Sequence, residues 1–448
     1  MSRNRVAVSP QKTRARGTPS TPILPEAARP RTRGFSTHLV EQVLRFNQRR
    51  PLRQGPFTFV DLFSGCGGFS LGFLLAGFRP LAGVDFDREA AESHRTNFEQ
   101  HGCISAKLDL ERLRPRQLAR IIEGENGSAH VDVVLGGPPC QGWSVVGRGK
   151  LRSLGQRANH WADDPRNHLF RRFLQFVKFF KPRVFVMENV PGMLAHGGID
   201  FTREVVREFS RVGYDTALYP LDAAYFGVPQ RRVRLFFIGS YRGSGLSMER
   251  LLSPIVDLNR FKGRRHTVRP WHTTVGEALF DLPKLSVNRQ DELLSYRNDG
   301  LPPYAALMHA GLNGIIRDHV TRFHGDQDRR AFRALKPGMT YDELSSGLKR
   351  YRDDIFKDKY RRLGSKVPAG TVTAHLAHDC YSHIHPTQLR TISPREAARL
   401  QGFPDGFHFC GSIGDRFRQI GNAVPPLLAY QIGRAIHLRL TRKMRRNA

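Results

Sequence analysis

The sequence Phe57-Thr-Phe-Val-Asp-Leu-Phe-Ser-Gly-Cys-Gly-Gly68 joins a short apolar run to a glycine-rich turn. The run predicts a buried strand over residues 57–62, and the spacing of apolar residues from 69 to 76 predicts a helix directly after the turn. A strand that leads through glycines into a helix lets the backbone approach a ligand and directs free N–H groups towards it. An ordinary tight turn is the alternative for this segment taken alone.

Three further apolar runs are each followed by polar or chemically unusual residues. They are residues 81–84 before Asp85, residues 131–135 before Gly136-Gly-Pro-Pro-Cys-Gln141, and residues 183–187 before Glu188. Helices are predicted between the strands, and this alternation indicates an α/β protein with a doubly wound, Rossmann-like parallel sheet. Ligands of such sheets bind at the carboxyl ends of the strands, which is where these residues fall.

The composition favours a polyanionic partner. The 448 residues include 71 Lys and Arg against 40 Asp and Glu, which gives a formal net charge of +31. Nucleic acid is the first candidate and an anionic membrane surface the second. No run approaches the roughly 18 apolar residues of a membrane span. The five cysteines form no C-x-x-C pair, so a reducing compartment with free thiols is expected.

The beginning of the chain is basic. Residues 1–50 are predicted to form a largely disordered arm, and Glu26 is the only acid in residues 1–34. An organelle transit peptide is an alternative for this arm, but the segment lacks a clear amphipathic helix. A solvated tail with weak affinity for DNA is favoured.

The acidic residues after the second and third strands suit a nucleoside. Asp85 follows the glycine-rich loop by roughly 20 residues, where an acid can accept hydrogen bonds from a ribose diol. Phe86 offers a flat face for adenine, and Asp109 is placed to accept from its amino group. The loop lacks the full G-x-G-x-x-G spacing of dinucleotide enzymes, and the chain has no phosphate loop. A nucleoside without pyrophosphate, such as S-adenosylmethionine, fits better.

Cys140 and Glu188 are the candidate reactive groups. Pro138 and Pro139 fix φ and give a rigid loop that presents Cys140 at a strand end, which suits a thiolate nucleophile. Glu188 ends the next strand, where a carboxyl in a dry pocket can stay protonated and donate a hydrogen bond. A structural cysteine in a turn and a carboxylate that caps the following turn are the alternatives.

Six sequence blocks resemble, in the usual order, the signature motifs of the bacterial DNA cytosine-5 methyltransferase family of restriction–modification type. The blocks are Asp61-Leu-Phe-Ser-Gly-Cys-Gly-Gly68, Gly137-Pro-Pro-Cys-Gln-Gly-Trp-Ser144, Glu188-Asn-Val190, Gln230-Arg-Arg-Val-Arg234, Arg395-Glu-Ala-Ala-Arg-Leu-Gln-Gly-Phe-Pro404 and Gly421-Asn-Ala-Val424. The resemblance spans residues 57–436 and covers the middle of the chain by position only. Six blocks in sequence are far more specific than any one of them.

The resemblance implies roles for individual residues. Cys140 would add to C6 of cytosine, Glu188 would hydrogen-bond or protonate N3, Arg234 would contact a flipped-out base, and Arg232 would brace the cysteine loop. The implied S-adenosylmethionine pocket consists of Phe63, Gly65, Gly67, Asp85, Phe86, Asp109, Pro139 and Asn422. The implied DNA contacts are Gln141, Ser144, Gln230 and Thr373.

The resemblance also implies a domain plan and partners. A class I methyltransferase domain is expected over residues 55–240 and 385–442, with a smaller target recognition domain inserted at 241–384. Double-stranded DNA would be the partner of a monomeric, cytoplasmic enzyme that associates with the nucleoid, with a cognate restriction endonuclease as a functional companion. No metal is expected, although a crowd of His and Cys suggests zinc: His375, His378, Cys380, His383 and His385. Its spacing matches no standard finger.

Two rival functions stay open at this point. One is a methyltransferase of another substrate class. Enzymes that act on exocyclic amines resemble one another in a motif without a nucleophilic cysteine, whereas relatives that act on tRNA share the catalytic cysteine and are harder to exclude. The other rival is a catalytically inactive DNA-binding relative, which the presence of Cys140, Glu188 and Arg234 argues against.

Overall fold

A computed structural model provides the coordinates of the chain. It describes residues 35–139, 169–194, 201–246, 252, 273–286, 294–296, 300–312, 314, 316–339, 341–349 and 360–447. The predicted site residues Cys140, Gln141 and Ser144 lie outside the described residues.

Seven strands form one sheet with the order β3-β2-β1-β4-β5-β7-β6. Their bounds are Thr58–Leu62 (β1), Arg79–Asp85 (β2), Ile104–Lys107 (β3), Val133–Gly136 (β4), Val184–Asn189 (β5), Tyr214–Asp222 (β6) and Val233–Tyr241 (β7). Every residue of β1 is buried, as expected of a strand that is covered on both faces. The first five strands are parallel neighbours, and the predicted α/β, doubly wound fold is confirmed.

The prediction of a wholly parallel sheet needs one correction. Strand β7 runs antiparallel to both β5 and β6. Only residues 223–232 separate β6 from β7, and they contain one short 3-10 helix, Ala223–Phe226. A parallel crossover needs a dozen or more residues, so the chain has to return antiparallel. The beginning of β7 therefore lies at the same sheet edge as the end of β5.

Helices cover both faces of the sheet. Their bounds among the described residues are Thr37–Asn47 (α1), Gly68–Leu75 (α2), Arg88–Phe98 (α3), Pro115–Asn126 (α4), Leu169–Phe180 (α5), Phe201–Arg211 (α6), Val275–Leu279 (α7), Pro303–Met308 (α8), Asp326–Ala334 (α9), Pro394–Gln401 (α10), Ile413–Asn422 (α11) and Pro426–Asn447 (α12). Side chains of β1 alternate between two cores: Phe59 packs with α2 and α12, and Val60 packs with α4 and α5. None of the described helices is long and apolar enough to cross a membrane.

Part of the predicted basic arm over residues 1–50 is folded, because Thr37–Asn47 forms α1. Ser36 caps this helix by accepting a hydrogen bond from the N–H of Leu39 at 3.2 Å. Leu39, Val43 and Phe46 recur at helical spacing and are buried in the main core. Burial of this apolar face stabilises the helix, so a segment that looks like the end of a polar tail is part of the folded protein.

The middle of the chain divides between two cores. The described residues of α7 and α8 belong to the main core through Val275, Leu279, Tyr304 and Met308. A separate, smaller core consists of Ala331, Phe332, Leu335, Tyr341, Leu344, Tyr360 and Ile384. A distinct recognition domain with the boundaries 241–384 stays a proposal, and the smaller core is the part of it that packs by itself.

Buried charges join helix α10 to the segment at the end of α7, since Arg399 donates to the carbonyl of Ala278 at 2.9 Å. The guanidinium of Arg399 donates to Asp405 at 2.6 Å and to Asp281 at 2.7 Å, and all three side chains are buried. Arg395 pairs with Asp318 at 3.0 Å in the same region. Buried charges are tolerated only when they are paired and hydrogen-bonded, so this network specifies how the two segments dock.

Candidate active site

The glycine-rich loop has a backbone that most residues cannot adopt. Phe63, Gly65 and Gly67 have φ values of +57°, +55° and +101°. A Cβ at Gly67 would lie 2.3 Å from the ring of Phe98, so glycine is required there for space as well as for conformation. A Cβ at Gly65 would meet nothing within 4 Å. The loop is therefore open on the side that a ligand would use.

The residues predicted to bind a nucleoside lie together beside this loop. The carboxylate of Asp85 accepts hydrogen bonds from the N–H of Gly65 at 2.8 Å and from the N–H of Asp87 at 2.9 Å. Phe86 is 67% exposed, so its ring is accessible to a ligand. Asp109 lies close to Asp85, because the N–H of the preceding residue, Leu108, donates to the carbonyl of Asp85 at 2.9 Å. The side chain of Asp109 is exposed.

The C-terminal part of the chain packs onto the same loop. A Cβ at Gly68 would lie 2.3 Å from the carbonyl oxygen of Val424, which shows how closely the segments approach. Asn422 ends α11 immediately before this contact and is exposed. Gly421 in turn lies against the backbone of Thr373, where a Cβ would approach to 2.2 Å. The fold thus brings the loop, Asn422 and Thr373 into one region.

Glu188 and Arg234 form an ion pair at the sheet edge. The Nε of Arg234 lies 3.1 Å from Oε1 of Glu188, and each side chain is only 14% exposed. Burial raises the pKa of Glu188, and the charges of Arg234 and Arg232 oppose that shift. Burial also lowers the pKa of Arg234. The carboxyl is consequently easier to protonate than an ordinary glutamate.

The same carboxyl faces the loop that leads to Cys140. A Cβ at Gly137 would lie 3.4 Å from Oε2 of Glu188, and the side-chain amide of Asn189 reaches the carbonyl of Pro138 at 3.5 Å. Pro139 is the last described residue before the cysteine and is partly buried. Glu188 therefore lies beside Gly137, which precedes Cys140 by three residues in the chain.

Arg232 is buried among backbone carbonyls. It donates to Val372 at 2.6 Å, to Gly421 at 2.9 Å and to Ala423 at 3.1 Å. Burial lowers its pKa well below the usual value, and Arg234 adds to that effect. These contacts hold the segment before Thr373 against the segment around Asn422. The predicted brace on the cysteine loop stays a prediction, because that loop lies outside the described residues.

Gln230 is not placed to contact DNA. Its side chain is completely buried, its amide N–H donates to the carbonyl of Leu400 at 2.9 Å, and its Oε1 accepts from the N–H of Val372 at 2.9 Å. Gln230 also hydrogen-bonds with Gln401. Gln230 therefore connects the loop between β6 and β7 to α10 and to the segment before Thr373, instead of contacting DNA as its motif position suggests.

His383, His385 and Cys380, three of the five crowded residues, are buried and packed into the fold. Burial lowers the pKa of His383 and of His385 to about 4, so both are neutral at pH 7. His385 Nδ1 accepts from the N–H of Gln388 at 3.0 Å, and His383 Nε2 lies 3.4 Å from the carbonyl of Gly370. No group of three or more His, Cys, Asp or Glu within the described ranges is arranged to hold a metal ion.

The fold and the edge of the sheet together define a protein class. A seven-stranded sheet with β7 reversed carries an open glycine-rich loop, the carboxylate of Asp85 beside that loop and a buried carboxyl–guanidinium pair. This is the Rossmann-like architecture of the class I methyltransferases. The chain belongs to the family of C-5 cytosine-specific DNA methylases, whose family model matches residues 57–438.

Individual relatives agree with this assignment. The chain is 36% identical over 379 residues to the type II methyltransferase M1.HphI of Haemophilus parahaemolyticus, covering 85% of this chain and 86% of the relative. It is 33% identical over 398 residues to the type II methyltransferase M.DdeI of Desulfomicrobium norvegicum, covering 85% and 88%. A solved structure described as that of a prophage-encoded DNA modification methyltransferase from E. coli superposes with a TM-score of 0.65 at 27% identity, covering 86% of this chain and 99% of the other.

Proposed function

We propose that the chain transfers the methyl group of S-adenosylmethionine to C5 of a cytosine that has rotated out of duplex DNA, as a DNA (cytosine-5-)-methyltransferase. The observation that carries the proposal is the buried Glu188–Arg234 pair beside the Pro-Pro loop, at the strand edge that also holds the glycine-rich loop. The relatives at 36% and 33% identity are type II methyltransferases, which favours DNA over RNA as substrate. The intact ion pair disfavours an inactive relative.

The residues at the cofactor loop fit S-adenosylmethionine. Asp85 retains lone pairs for the ribose hydroxyls after accepting the N–H groups of Gly65 and Asp87. The exposed ring of Phe86 suits adenine, and the exposed carboxylate of Asp109 suits an adenine amino group. Phe63, Gly67, Pro139 and Asn422 would complete the pocket. S-adenosylmethionine, when bound, provides an electrophilic methyl group on a sulfonium.

The proposed chemistry begins with covalent addition. The thiolate of Cys140 bonds to C6 of cytosine while Glu188 places a proton on N3, so that the electron pair of the C5–C6 double bond is held as an enamine and C5 becomes nucleophilic. A carboxyl whose pKa burial has raised is suited to hold that proton. Arg234 lies against Glu188 and orients it, and we expect the same guanidinium to contact the base.

The later steps regenerate the enzyme. C5 bonds to the methyl carbon as the sulfur–carbon bond breaks, and the bonding electron pair stays on sulfur. A base then removes the C5 proton, the bond between C6 and the Cys140 sulfur breaks, and the thiolate is released. The N3 proton returns to Glu188. Each bond that forms on the pyrimidine is thus transient except the new carbon–carbon bond.

DNA binding is assigned to the strand edge and to the middle of the chain. Extruding a base costs a few kcal/mol, which contacts of Lys and Arg with phosphates offset. Thr373 lies against the Asn422 segment and is the proposed backbone contact, while Gln141 and Ser144 would reach the DNA from the cysteine loop. Residues 241–384 would read the bases. We also propose that the enzyme acts as a monomer in the bacterial cytoplasm near the nucleoid, alongside a cognate restriction endonuclease.

The test compares two cysteine-to-serine variants, one at the proposed nucleophile and one elsewhere in the chain. Cys140→Ser should abolish transfer of labelled methyl groups to duplex DNA while S-adenosylmethionine binding persists. Cys410→Ser changes a partly exposed cysteine far along the chain and should keep wild-type activity. Bisulfite sequencing of DNA from cells that express the wild type should show 5-methylcytosine at one sequence context. Methylation by Cys140→Ser at the wild-type rate, or modification of another base, would refute the proposal.

A further inference from the structure

The end of helix α12 is strongly basic. The helix, Pro426–Asn447, contains six Lys and Arg and no acid. Four of these cations crowd its last turns, and they are Arg442, Lys443, Arg445 and Arg446. Cations near the C-terminus of a helix interact favourably with the helix dipole, so stabilisation of α12 is one role for these side chains. Their position and exposure point to a second role.

The basic end of α12 lies at the edge of the sheet opposite the active site. The ring of His437 packs edge-on against Phe57, directly before β1 begins, with ring centroids 5.4 Å apart. Further along the helix, a Cβ at Gly245 would lie 2.9 Å from Nζ of Lys443, and Gly245 follows the end of β7. Because β7 is antiparallel to β5, its end lies beside the start of β5, whereas Glu188 is near the other end. Strand β5 has 6 residues, so the two edges are about 20 Å apart.

One side of this helix end presents a compact set of guanidinium groups. Arg442, Arg445 and Arg446 are all exposed, and residues three and four positions apart lie on the same side of a helix. None of the three forms an ion pair with an acid of the described ranges, whereas exposed arginines elsewhere, such as Arg95 and Arg171, do so. The described part of the protein therefore leaves the positive charge of this side without a neutralising partner.

The spacing of these arginines fits the phosphates of duplex DNA. From Arg442 to Arg446 the helix rises by about 6 Å. One DNA strand carries a charge about every 3.4 Å along its axis, so the arginines span about two phosphates. An anionic membrane is a poorer partner, because a helix that lies on a bilayer needs an apolar side. Among the described residues of α12, Met444 is the only large apolar side chain that is exposed.

We propose that the basic end of α12 binds the phosphate backbone of a second duplex segment while the active site holds the first. The inference goes beyond the proposed function and rests on it only for the choice of DNA as the polyanion. Contacts with phosphates do not depend on base sequence, so the second segment can be any duplex. An enzyme that is held by one segment stays close to DNA when its active site releases the other.

A competition between two duplexes tests the proposal. One equivalent of an unlabelled duplex with the methylation site, mapped by bisulfite sequencing, occupies the active site. A labelled duplex of the same length without that site is then titrated at about 50 mM salt and followed by fluorescence anisotropy. The loaded wild type should bind the labelled duplex. Arg442→Gln/Arg446→Gln should bind it at least about fivefold more weakly, and the slope of log affinity against log salt concentration should become shallower by about 2.

A second pair of arginines provides the matched control. Arg116 and Arg120 are also exposed and are separated by the same number of residues on α4, which covers the other face of the sheet. Arg116→Gln/Arg120→Gln should therefore bind both duplexes as the wild type does. The single-turnover rate of methylation of the site-carrying duplex should be the same in the wild type and both variants, because the changed residues lie away from the active site.

The contrary outcomes are distinct from one another. Failure of the loaded wild type to bind the labelled duplex, or wild-type affinity for it in Arg442→Gln/Arg446→Gln, would overturn the proposal. A variant whose methylation rate and melting temperature fall together with its affinity would show that these arginines only stabilise α12. Binding of phosphatidylserine vesicles in preference to the labelled duplex would assign this side of the helix to a membrane. A wild type that does not bind the site-carrying duplex would instead refute the proposed function.

Discussion

Replacing Glu188 by Gln removes the titratable carboxyl group but keeps the size and shape of the side chain. The amide oxygen of Gln can still accept from Nε of Arg234, which lies 3.1 Å from Oε1, so the local packing should persist. What disappears is the carboxyl proton that N3 of cytosine requires. General acid catalysis contributes about 10²–10⁴-fold, so the rate of methyl transfer should fall by that factor, about 3–5 kcal/mol of barrier.

The pH profile identifies the cause of that loss. Because burial raises the pKa of Glu188, the protonated fraction of the wild type falls as the pH rises through that value, and its rate should fall on the alkaline side. Glu188→Gln has no proton to lose at this position, so that limb should be absent. The assay is single-turnover transfer of labelled methyl groups to duplex DNA at several pH values.

An exposed ion pair offers the control. Glu204 pairs with Arg171 at 2.7 Å, with the two side chains 36% and 48% exposed, so Glu204→Gln makes the same chemical change away from the site. It should leave the rate and the pH profile unchanged. A rate for Glu188→Gln within about threefold of the wild type, with the alkaline limb retained, would refute the role given to Glu188.

Three further expectations follow from the buried contacts and the charge. Arg399→Met leaves the carboxylates of Asp281 and Asp405 buried without their partner and should cost about 3–5 kcal/mol of the free energy of unfolding, seen as a lower melting temperature. Gly67→Ala forces a Cβ to within 2.3 Å of Phe98 at a φ of +101°, and should lose S-adenosylmethionine binding as well as about 1–3 kcal/mol of stability through backbone strain alone. The affinity for duplex DNA should fall at least about a hundredfold between about 50 and about 200 mM salt.

Each of these expectations has a contrary outcome. Arg95→Met removes an arginine whose partners Glu92 and Glu99 are exposed, and a melting temperature lowered as much as that of Arg399→Met would contradict the importance of burial. Retention of wild-type cofactor affinity by Gly67→Ala would mean that the loop adapts to a side chain. A DNA affinity that does not change with salt concentration would mean that the positive charge serves another partner.

The sequence predicts the parts of the fold that local patterns determine. The apolar runs and the acids that follow them locate β1, β2, β4 and β5, and they correctly predict that Asp85 and Glu188 lie at the ends of β2 and β5. Strand direction is not local: the reversal of β7 follows from the short connection after β6, which the motif Gln230-Arg-Arg-Val-Arg234 does not reveal.

Burial accounts for the other differences. Gln230 occupies a motif position that suggests a DNA contact, but tertiary packing turns its side chain inwards, and no local pattern distinguishes the two outcomes. The helix at Thr37–Asn47 did have a signal, because Ser36 precedes apolar residues at helical spacing, yet the basic residues around it suggested a tail.

The central claim is a covalent bond between the Cys140 sulfur and C6 of an extruded cytosine. A duplex that carries 5-fluorocytosine at the methylated position, mapped beforehand by bisulfite sequencing, tests it most directly, because fluorine at C5 cannot leave as a proton does and the adduct persists. With S-adenosylmethionine present, we predict a protein–DNA complex that survives denaturation and maps to Cys140 by mass spectrometry. A complex that dissociates on denaturation, or that maps to another residue, would contradict the account.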